Sequence, residues 1–369
     1  MKSLSDNKRK SARKIVRSKQ STTRRSSNSK TRSPELNHPR FIVVIGASAG
    51  GLDALKEMVR GFSKEVDAAY CIVLHLSRKA IGDYVIHQLS KVTSMPCHLA
   101  LNDGPIEKGS IYIAPPNLHL LVKQNHFILG GGPEENRFRP SIDVLFRSAA
   151  VAYSSFAVGV ILSGMLDDGT AGMSAVKKSG GTCIVQDPNQ AEYPDMPLSV
   201  INNMDVDHVV TLSEIGEVIA NITIQKKGKK KSIVPEEVIA ESKIAETTAV
   251  GIDIIETIAD KSVFACPDCG GNLWTMKESP LKRYRCHIGH AYTERDLAVK
   301  QVEIAGSTLW VALRMMEERK HLLKKFEMET AKKGYKALST AHREKQKVMQ
   351  QHIDTMKKIL FNLQADNMP

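Results

Sequence analysis

From residue 41 to about residue 223 the chain alternates short apolar runs with segments whose apolar residues recur at helical spacing. That is the pattern of a parallel sheet covered by helices. The runs Phe41 to Ile45, Ala69 to Leu74, Ile111 to Ala114, Ala157 to Leu162 and Thr182 to Val185 predict strands. Three sets predict helices with one apolar stripe each: Leu52, Leu55, Val59 and Phe62; Ile81, Val85, Leu89 and Val92; Ile142, Leu145, Phe146 and Ala149. Residues 119–132 read as a β-hairpin with a polar turn. The expected fold is α/β, a doubly wound, mostly parallel sheet over residues 40–224.

Past residue 224 the pattern changes. Residues 225–262 open with QKKGKKKS and stay polar and poor in aromatics, so a linker is expected there. Residues 263–293 form a compact cysteine and histidine module, and residues 294–369 read as helical with a break at Lys333 and Gly334. Met349, Ile353, Met356, Leu360 and Leu363 recur at a/d-like spacing. Two helices that fold back on each other, or that pair with a partner helix, both satisfy that pattern.

Charge adds a fifth region. Residues 1–40 carry 13 Lys or Arg against Asp6 and Glu35, so nearly all of the net charge of +12 belongs to this tail. Over residues 1–39 it has too few large apolar residues to offset the entropy of folding, and a disordered basic tail is expected. Nucleic acid, anionic lipid or an acidic partner could bind it, and a plain solvated tail is the alternative. Its Ser- and Arg-rich, acid-poor composition is also that of an organelle transit peptide, but no amphipathic helix emerges from it. No segment approaches the roughly 20 apolar residues of a membrane span, and no apolar core follows the basic start as a secretory signal requires. A soluble, cytoplasmic protein is expected. Cys71, Cys97 and Cys183 are scattered in apolar surroundings, which suits reduced core residues better than a disulfide framework.

The candidate chemistry gathers at three strand ends. Gly46-Ala47-Ser48-Ala49-Gly50 fits G-x-S-x-G between a predicted strand and a predicted helix. A tight turn there lifts a serine hydroxyl above the sheet, and the amides of the next helix point at the same spot. A dinucleotide-binding turn and a simple helix cap are the competing readings, although the first wants glycine where Ser48 stands. The second strand ends in His75, a residue type that serves as general base for a serine. The fourth apolar run, Ala157 to Leu162, ends in Ser163-Gly164-Met165-Leu166-Asp167-Asp168-Gly169, where a carboxylate could orient an imidazole or cap the helix that follows. Carboxyl ends of neighbouring parallel strands share one crevice, so these residues can meet. The chain order Ser, His, Asp differs from the Ser, Asp, His of the α/β-hydrolases.

Cys266 and Cys269 form a CxxC knuckle, followed by Cys286 and, four residues on, His290. With His287 as the alternative fourth ligand, this is the donor set of a structural zinc ribbon, and a metal-free remnant or a redox pair is the competing reading. Trp274 and Tyr284 with Lys282, Arg283 and Arg285 either build the core of this small module or present a nucleic-acid surface.

With these residues in hand, residues 41 to about 223 resemble the catalytic domain of the bacterial chemotaxis protein-glutamate methylesterases. The resemblance rests on VVIGASAGG, IVLHLS, GSIYIAPPNLHLLV, RPSIDVLFRSAA, LSGMLDDGTAGM and GGTCIVQDPNQAEYPDMPLSVI, in family order. It implies hydrolysis of glutamyl methyl esters on the cytoplasmic helices of chemoreceptors, with release of methanol and related deamidation of receptor glutamines. It also implies Ser48 as nucleophile, His75 as general base and Asp168 as the third member, because the family's aspartate directly precedes the glycine that is Gly169 here. Ala49 and Met165 border the implied active site, and their amides are the candidate oxyanion donors. No cofactor is implied for catalysis. Many members have threonine where this chain has Ala49, and glycine where it has Leu166. Many also begin with a phosphorylatable receiver domain, whereas 47 residues precede Ser48, so receiver control within this chain is not expected. An esterase acting on another protein, or an adaptor that keeps the fold as a binding platform, are the alternatives.

Overall fold

A computed structural model describes residues 38–75, 82–247 and 252–365. The expected basic tail lies outside the described residues as far as residue 37, and so does Ile81. In chain order, β1 (Phe41–Ala47) and α1 (Gly51–Val59) precede β2 (Ala68–Leu74), and α2 (Gly82–Ser90) precedes β3 (Cys97–Leu99) and β4 (Ile111–Ile113). A hairpin of β5 (His119–Lys123) and β6 (His126–Gly130) is followed by α3 (Ile142–Tyr153), β7 (Ala157–Ile161), α4 (Thr170–Lys178) and β8 (Thr182–Gln186). Then come α5 (Asp195–Asn203), β9 (His208–Val210) and α6 (Ile215–Gln225).

Seven strands form one sheet in the order β3-β4-β2-β1-β7-β8-β9, and every adjacent pair is parallel. β1 and β2 are buried at every position, which is why they read as unbroken apolar runs rather than alternating ones. Strand order reverses at β1, and the carboxyl end of such a reversal is where open α/β sheets place their sites. Gly46 keeps that end open to α3, since a Cβ there would overlap the Ile142 side chain. All five expected strands and the hairpin are present. β3 and β9 were not expected: each has three residues with an exposed centre, so neither shows an apolar run or clear alternation.

Residues 225–262 are not the linker their composition suggests. They hold the end of α6, then α7 (Glu236–Thr247), α8 (Ile252–Ile258) and most of β10 (Ala259–Ala265). β10 starts an antiparallel sheet with β11 (Asn272–Met276), β12 (Arg283–Cys286) and β13 (Ala291–Thr293), which leads into α9 (Glu294–Lys332) and α10 (Lys336–Ala365). The last two helices fold back on each other, with Leu313, Ile353 and Leu360 buried between them and Lys357 paired to Glu317 across the hairpin. No helix among the described residues is long and apolar enough to cross a membrane.

α7 packs on α3, and its inward face carries Glu241 beside Val238, Ile244 and Ala245. That buried glutamate explains why the segment reads as polar. Its carboxylate takes a two-pronged bond from Arg283 of β12 at 2.8 and 3.0 Å. Arg285 reaches the same carboxylate at 3.0 Å, and Arg147 of α3 lies 3.5 Å away. Glu135 completes the cluster, accepting from Arg285 at 2.7 Å and from Arg147. Burial alone would raise both glutamates, but the guanidiniums outweigh it: Glu135 is held below the ordinary carboxylate range and Glu241 well below. The nucleic-acid surface considered for Arg283 and Arg285 does not form, because both are buried in these ion pairs.

Removing one partner of a buried ion pair strands the others without solvent. The Glu241→Leu variant is therefore expected to lose about 3–5 kcal/mol of stability in urea denaturation. A loss under about 1 kcal/mol would mean that apolar contacts alone dock β10–β13 on the sheet domain.

Candidate functional site

The parallel register pairs Ala47 with Leu74 and Gly46 with Ile161, so the residues that follow, Ser48, His75 and Ser163, emerge from neighbouring strand ends. Backbone bonds extend the register past the strands: His75 N–H donates to Ala47 O and Ser48 N–H to Ser163 O, each at 3.0 Å. Gly50, with φ 69°, then turns the chain into α1, and a Cβ there would meet Glu192 and Ser163 Oγ within 2.9 Å. Only glycine combines that left-handed turn with that close approach. A Cβ on Gly164 would overlap Met196 Sδ and come 2.8 Å from Ser48 Cβ, so the backbone after β7 lies flush against Ser48. The Ala49 and Met165 amides donate to no backbone carbonyl among the described residues.

His75 is nearly enclosed. Its Nε2 lies 3.0 Å from Asp168 Oδ2, somewhat off the ideal hydrogen-bond direction, and its Nδ1 has no partner among the described residues. Its ring stacks on Phe138 with centroids 3.6 Å apart and planes within 9°. The aromatic face thereby fixes the plane of the imidazole.

Asp168 is buried and fully engaged. Oδ1 accepts from Asn136 Nδ2 at 2.9 Å, Ser141 Oγ at 3.0 Å and Asp143 N–H at 3.2 Å, while Oδ2 accepts from Ile142 N–H at 2.7 Å. Asp168 thus caps α3, not α4, the helix that follows it. Asp143, in the first turn of α3, returns the favour by accepting from Gly169 and Gly172 N–H at 3.0 and 2.6 Å, at the start of α4. Asn136 Nδ2 donates to Asp143 as well, at 2.8 Å, and so bridges the two carboxylates. Burial and the neighbouring Asp168 push the Asp143 carboxyl up to about 6. Burial would raise Asp168 too, but the bond and charge of His75, then Asn136 and the Ile142 amide, hold it below its ordinary value.

Asn136 and Phe138 sit on a tight two-residue turn. Glu135 and Phe138 exchange backbone bonds at 3.2 and 3.0 Å, and the residues between them, Asn136 and Arg137, have φ of 51° and 69°. Both are left-handed, which asparagine tolerates but which costs arginine about 1–2 kcal/mol.

In the second candidate site the ligand atoms of Cys266, Cys269, Cys286 and His290 all lie within 4.8 Å of one another, an arrangement that could hold a metal ion. His287, the alternative ligand, lies beside Gly271 and Trp274 instead.

Sequence reasoning passed over Asn136, Phe138, Ser141 and Asp143. Ser141 and Asp143 carried a signal, being a cap-type residue and an acid on either side of Ile142, the first apolar position of the helix. Asn136 and Phe138 carried none.

A parallel α/β sheet with serine, histidine and aspartate at adjoining strand ends defines a hydrolase-like class of architecture. The family described as CheB methylesterase matches residues 43–219. A Leptospira interrogans protein provisionally named protein-glutamate methylesterase/protein-glutamine glutaminase is 38% identical over 176 residues, covering 47% of this chain and 91% of that protein. A Rhizobium meliloti protein named protein-glutamate methylesterase/protein-glutamine glutaminase of group 3 operon is 33% identical over 219 residues, covering 59% of this chain and 61% of that one. The crystal structure of the Thermotoga maritima CheB methylesterase catalytic domain is 31% identical with a TM-score of 0.47, covering 49% of this chain and 98% of that one. The chain belongs to the CheB methylesterase family.

A carboxylate held below its ordinary value stabilises the fold above the carboxylate range, and that contribution disappears as pH falls through the folded-state value. The melting-temperature gap between wild type and Asp168→Asn should accordingly be widest near about pH 7 and narrow below about pH 4. A gap of constant width across that range would show that Asp168 is not held ionised by its neighbours.

Proposed function

We propose that the chain is a protein-glutamate methylesterase that hydrolyses glutamyl methyl esters on the cytoplasmic helices of chemoreceptors, with deamidation of receptor glutamines as a related activity. The observation that carries this reading is the buried His75–Asp168 contact one strand away from the turn that bears Ser48. Ser48 is the nucleophile, and His75 takes the hydroxyl proton as Oγ attacks the ester carbonyl. Asp168 engages Nε2, so Nδ1 is the nitrogen left for the serine, and the carboxylate stabilises the imidazolium. The Ala49 and Met165 amides stabilise the oxyanion. Collapse of the tetrahedral intermediate passes the proton from His75 to the departing methoxide, releasing methanol. Water then cleaves the glutamyl-serine ester by the same route and restores the carboxylate.

Residues 40–224 serve as the catalytic domain in this reading, and the cysteine and histidine module binds one structural zinc ion through Cys266, Cys269, Cys286 and His290. A tetrahedral zinc with bonds of about 2.3 Å to sulfur and 2.0–2.1 Å to nitrogen sets its ligand atoms roughly 3.5–3.8 Å apart. Cys269 Sγ lies 3.7 Å from Cys286 Sγ, and Cys286 Sγ lies 3.5 Å from His290 Nδ1. Four protein ligands leave no open position, so the ion supports folding rather than reaction.

Methanol release from carboxyl-methylated receptor membranes tests the activity: wild type should release it, and Ser48→Ala should be slower by at least about a thousandfold. Equal rates in the two proteins would end the triad assignment, whereas Ser48-dependent cleavage of other esters alone would end only the substrate assignment. Elemental analysis should find one zinc per chain, lost when Cys266→Ser and Cys269→Ser are combined; a fully folded, zinc-free wild type would refute the metal site.

A further inference from the structure

Resting on the triad reading above, we infer that the cysteine and histidine module is the clamp that positions the triad. Metal bound at Cys286 and His290 holds the turn 135–138, and through it Asn136 and Phe138 act as positioning residues for Asp168 and His75.

The path is short and made of named contacts. The candidate metal ligands Cys286 and His290 bracket a knuckle closed by two backbone bonds, Gly289 N–H to Cys286 O and Cys286 N–H to His290 O, both at 3.0 Å. Each ligand has a neighbour in sequence that touches the turn. Arg285, next to Cys286, donates to Glu135 Oε2 at 2.7 Å, and its other arm holds Gly289 O at 3.1 Å. Ala291, next to His290, accepts Asn136 N–H at 2.8 Å. Within the knuckle itself, Gly289 lies beside Pro133, close enough that an added Cβ would sit in ordinary contact with that ring at 3.5 Å. α9 adds a third tether on the turn, Arg137 to Glu303 at 2.6 Å.

On its other side the same turn meets the site. Asn136 donates to Asp168 and to Asp143, and Phe138 lies flat on His75. A turn with two successive left-handed residues, one of them arginine, does not hold that shape by its own preference, so its tethers decide its geometry. Among the described residues those tethers come from the module, from α9 and from Arg147 of α3. Arg285 and Ala291 are paired across β12 and β13 at the root of the knuckle, and without the ion the knuckle loses the crosslink that steadies that pair against the rest of the module. The turn relaxes, and Asp168 loses the amide group that keeps it from Asp143. The ring plane of His75 is then no longer fixed, and misplacement of a reacting group by about 1 Å is enough to cost on the order of a hundredfold in rate.

The experiment uses the full chain and the hydrolysis of p-nitrophenyl acetate, with Ser48→Ala as the blank that verifies the triad reading separately. Stripping zinc with a chelator should lower kcat by at least about tenfold while KM changes less than about twofold, and added zinc should restore the rate. Labelling of Ser48 by a fluorophosphonate should slow in parallel. In zinc-loaded Asn136→Ala, kcat should already be low, at unchanged zinc content, and chelation should cost it little more, because both changes act through one contact. If chelation unfolds the chain, zinc-loaded Asn136→Ala and Phe138→Leu carry the test: reduced kcat with retained melting temperature supports the clamp, and wild-type kcat in both overturns it. Ser48-dependent activity that is unaffected by chelation, or that falls by the same factor in wild type and Asn136→Ala, overturns it as well.

Discussion

The carboxylate of Asp168 is the constraint on which the rest of the structure turns. An ionised group taken out of water costs several kcal/mol unless donors surround it. Here the donors come from four places at once: the first amides of α3, the Ser141 hydroxyl, the Asn136 amide and the imidazole of His75. Meeting that requirement fixes the start of α3 over the end of β1, where Gly46 leaves room for Ile142. It also fixes the start of α4, because Asp143 must then look outward and finds the amides of Gly169 and Gly172. Two helix N-termini meeting head to head would repel; exchanging carboxylates turns that meeting into mutual capping. The geometry at His75 follows from the same exchange.

The parts of this arrangement that were legible in the sequence are those with a period or a position. β1 and β2 read as unbroken apolar runs because both faces of the sheet are buried there, and the ends of apolar runs marked Ser48, His75 and the pair Asp167 and Asp168, between which the family resemblance chose Asp168. The edge strands β3 and β9 had neither length nor period to betray them. α7 was lost for a sharper reason: its buried face includes Glu241, so a residue type that normally marks solvent marks an interface here. Arg283 and Arg285 carry the same ambiguity, since the core reading and the surface reading both fit them in sequence and only their burial decides for the core. Charges that are paired across an interface look, in one dimension, like charges on a surface.

An interface built from buried ion pairs has a different character from an apolar one. Replacing such pairs with well-packed apolar residues is often neutral or stabilising, so stability alone does not account for Glu135, Arg147, Glu241, Arg283 and Arg285 standing together. What they supply is register. The fork of Arg283 on the carboxylate of Glu241 accepts one orientation, whereas apolar surfaces slide with little change in energy. A module that only covered the sheet domain would have no use for that precision. One that sets a turn against the site does.

Arg137 sharpens the point. Glycine at that position would remove the conformational penalty of the left-handed turn, and asparagine followed by glycine is the pairing such turns favour. The arginine accepts the penalty and in exchange gains a side chain that reaches Glu303 of α9. The turn is thereby weaker as an isolated element and firmer as a jointed one. A local preference is overridden where the geometry must be delivered from a distance. The family match ends at residue 219, yet Arg285, Ala291 and Glu303 beyond it hold the turn whose other side touches Asp168 and His75.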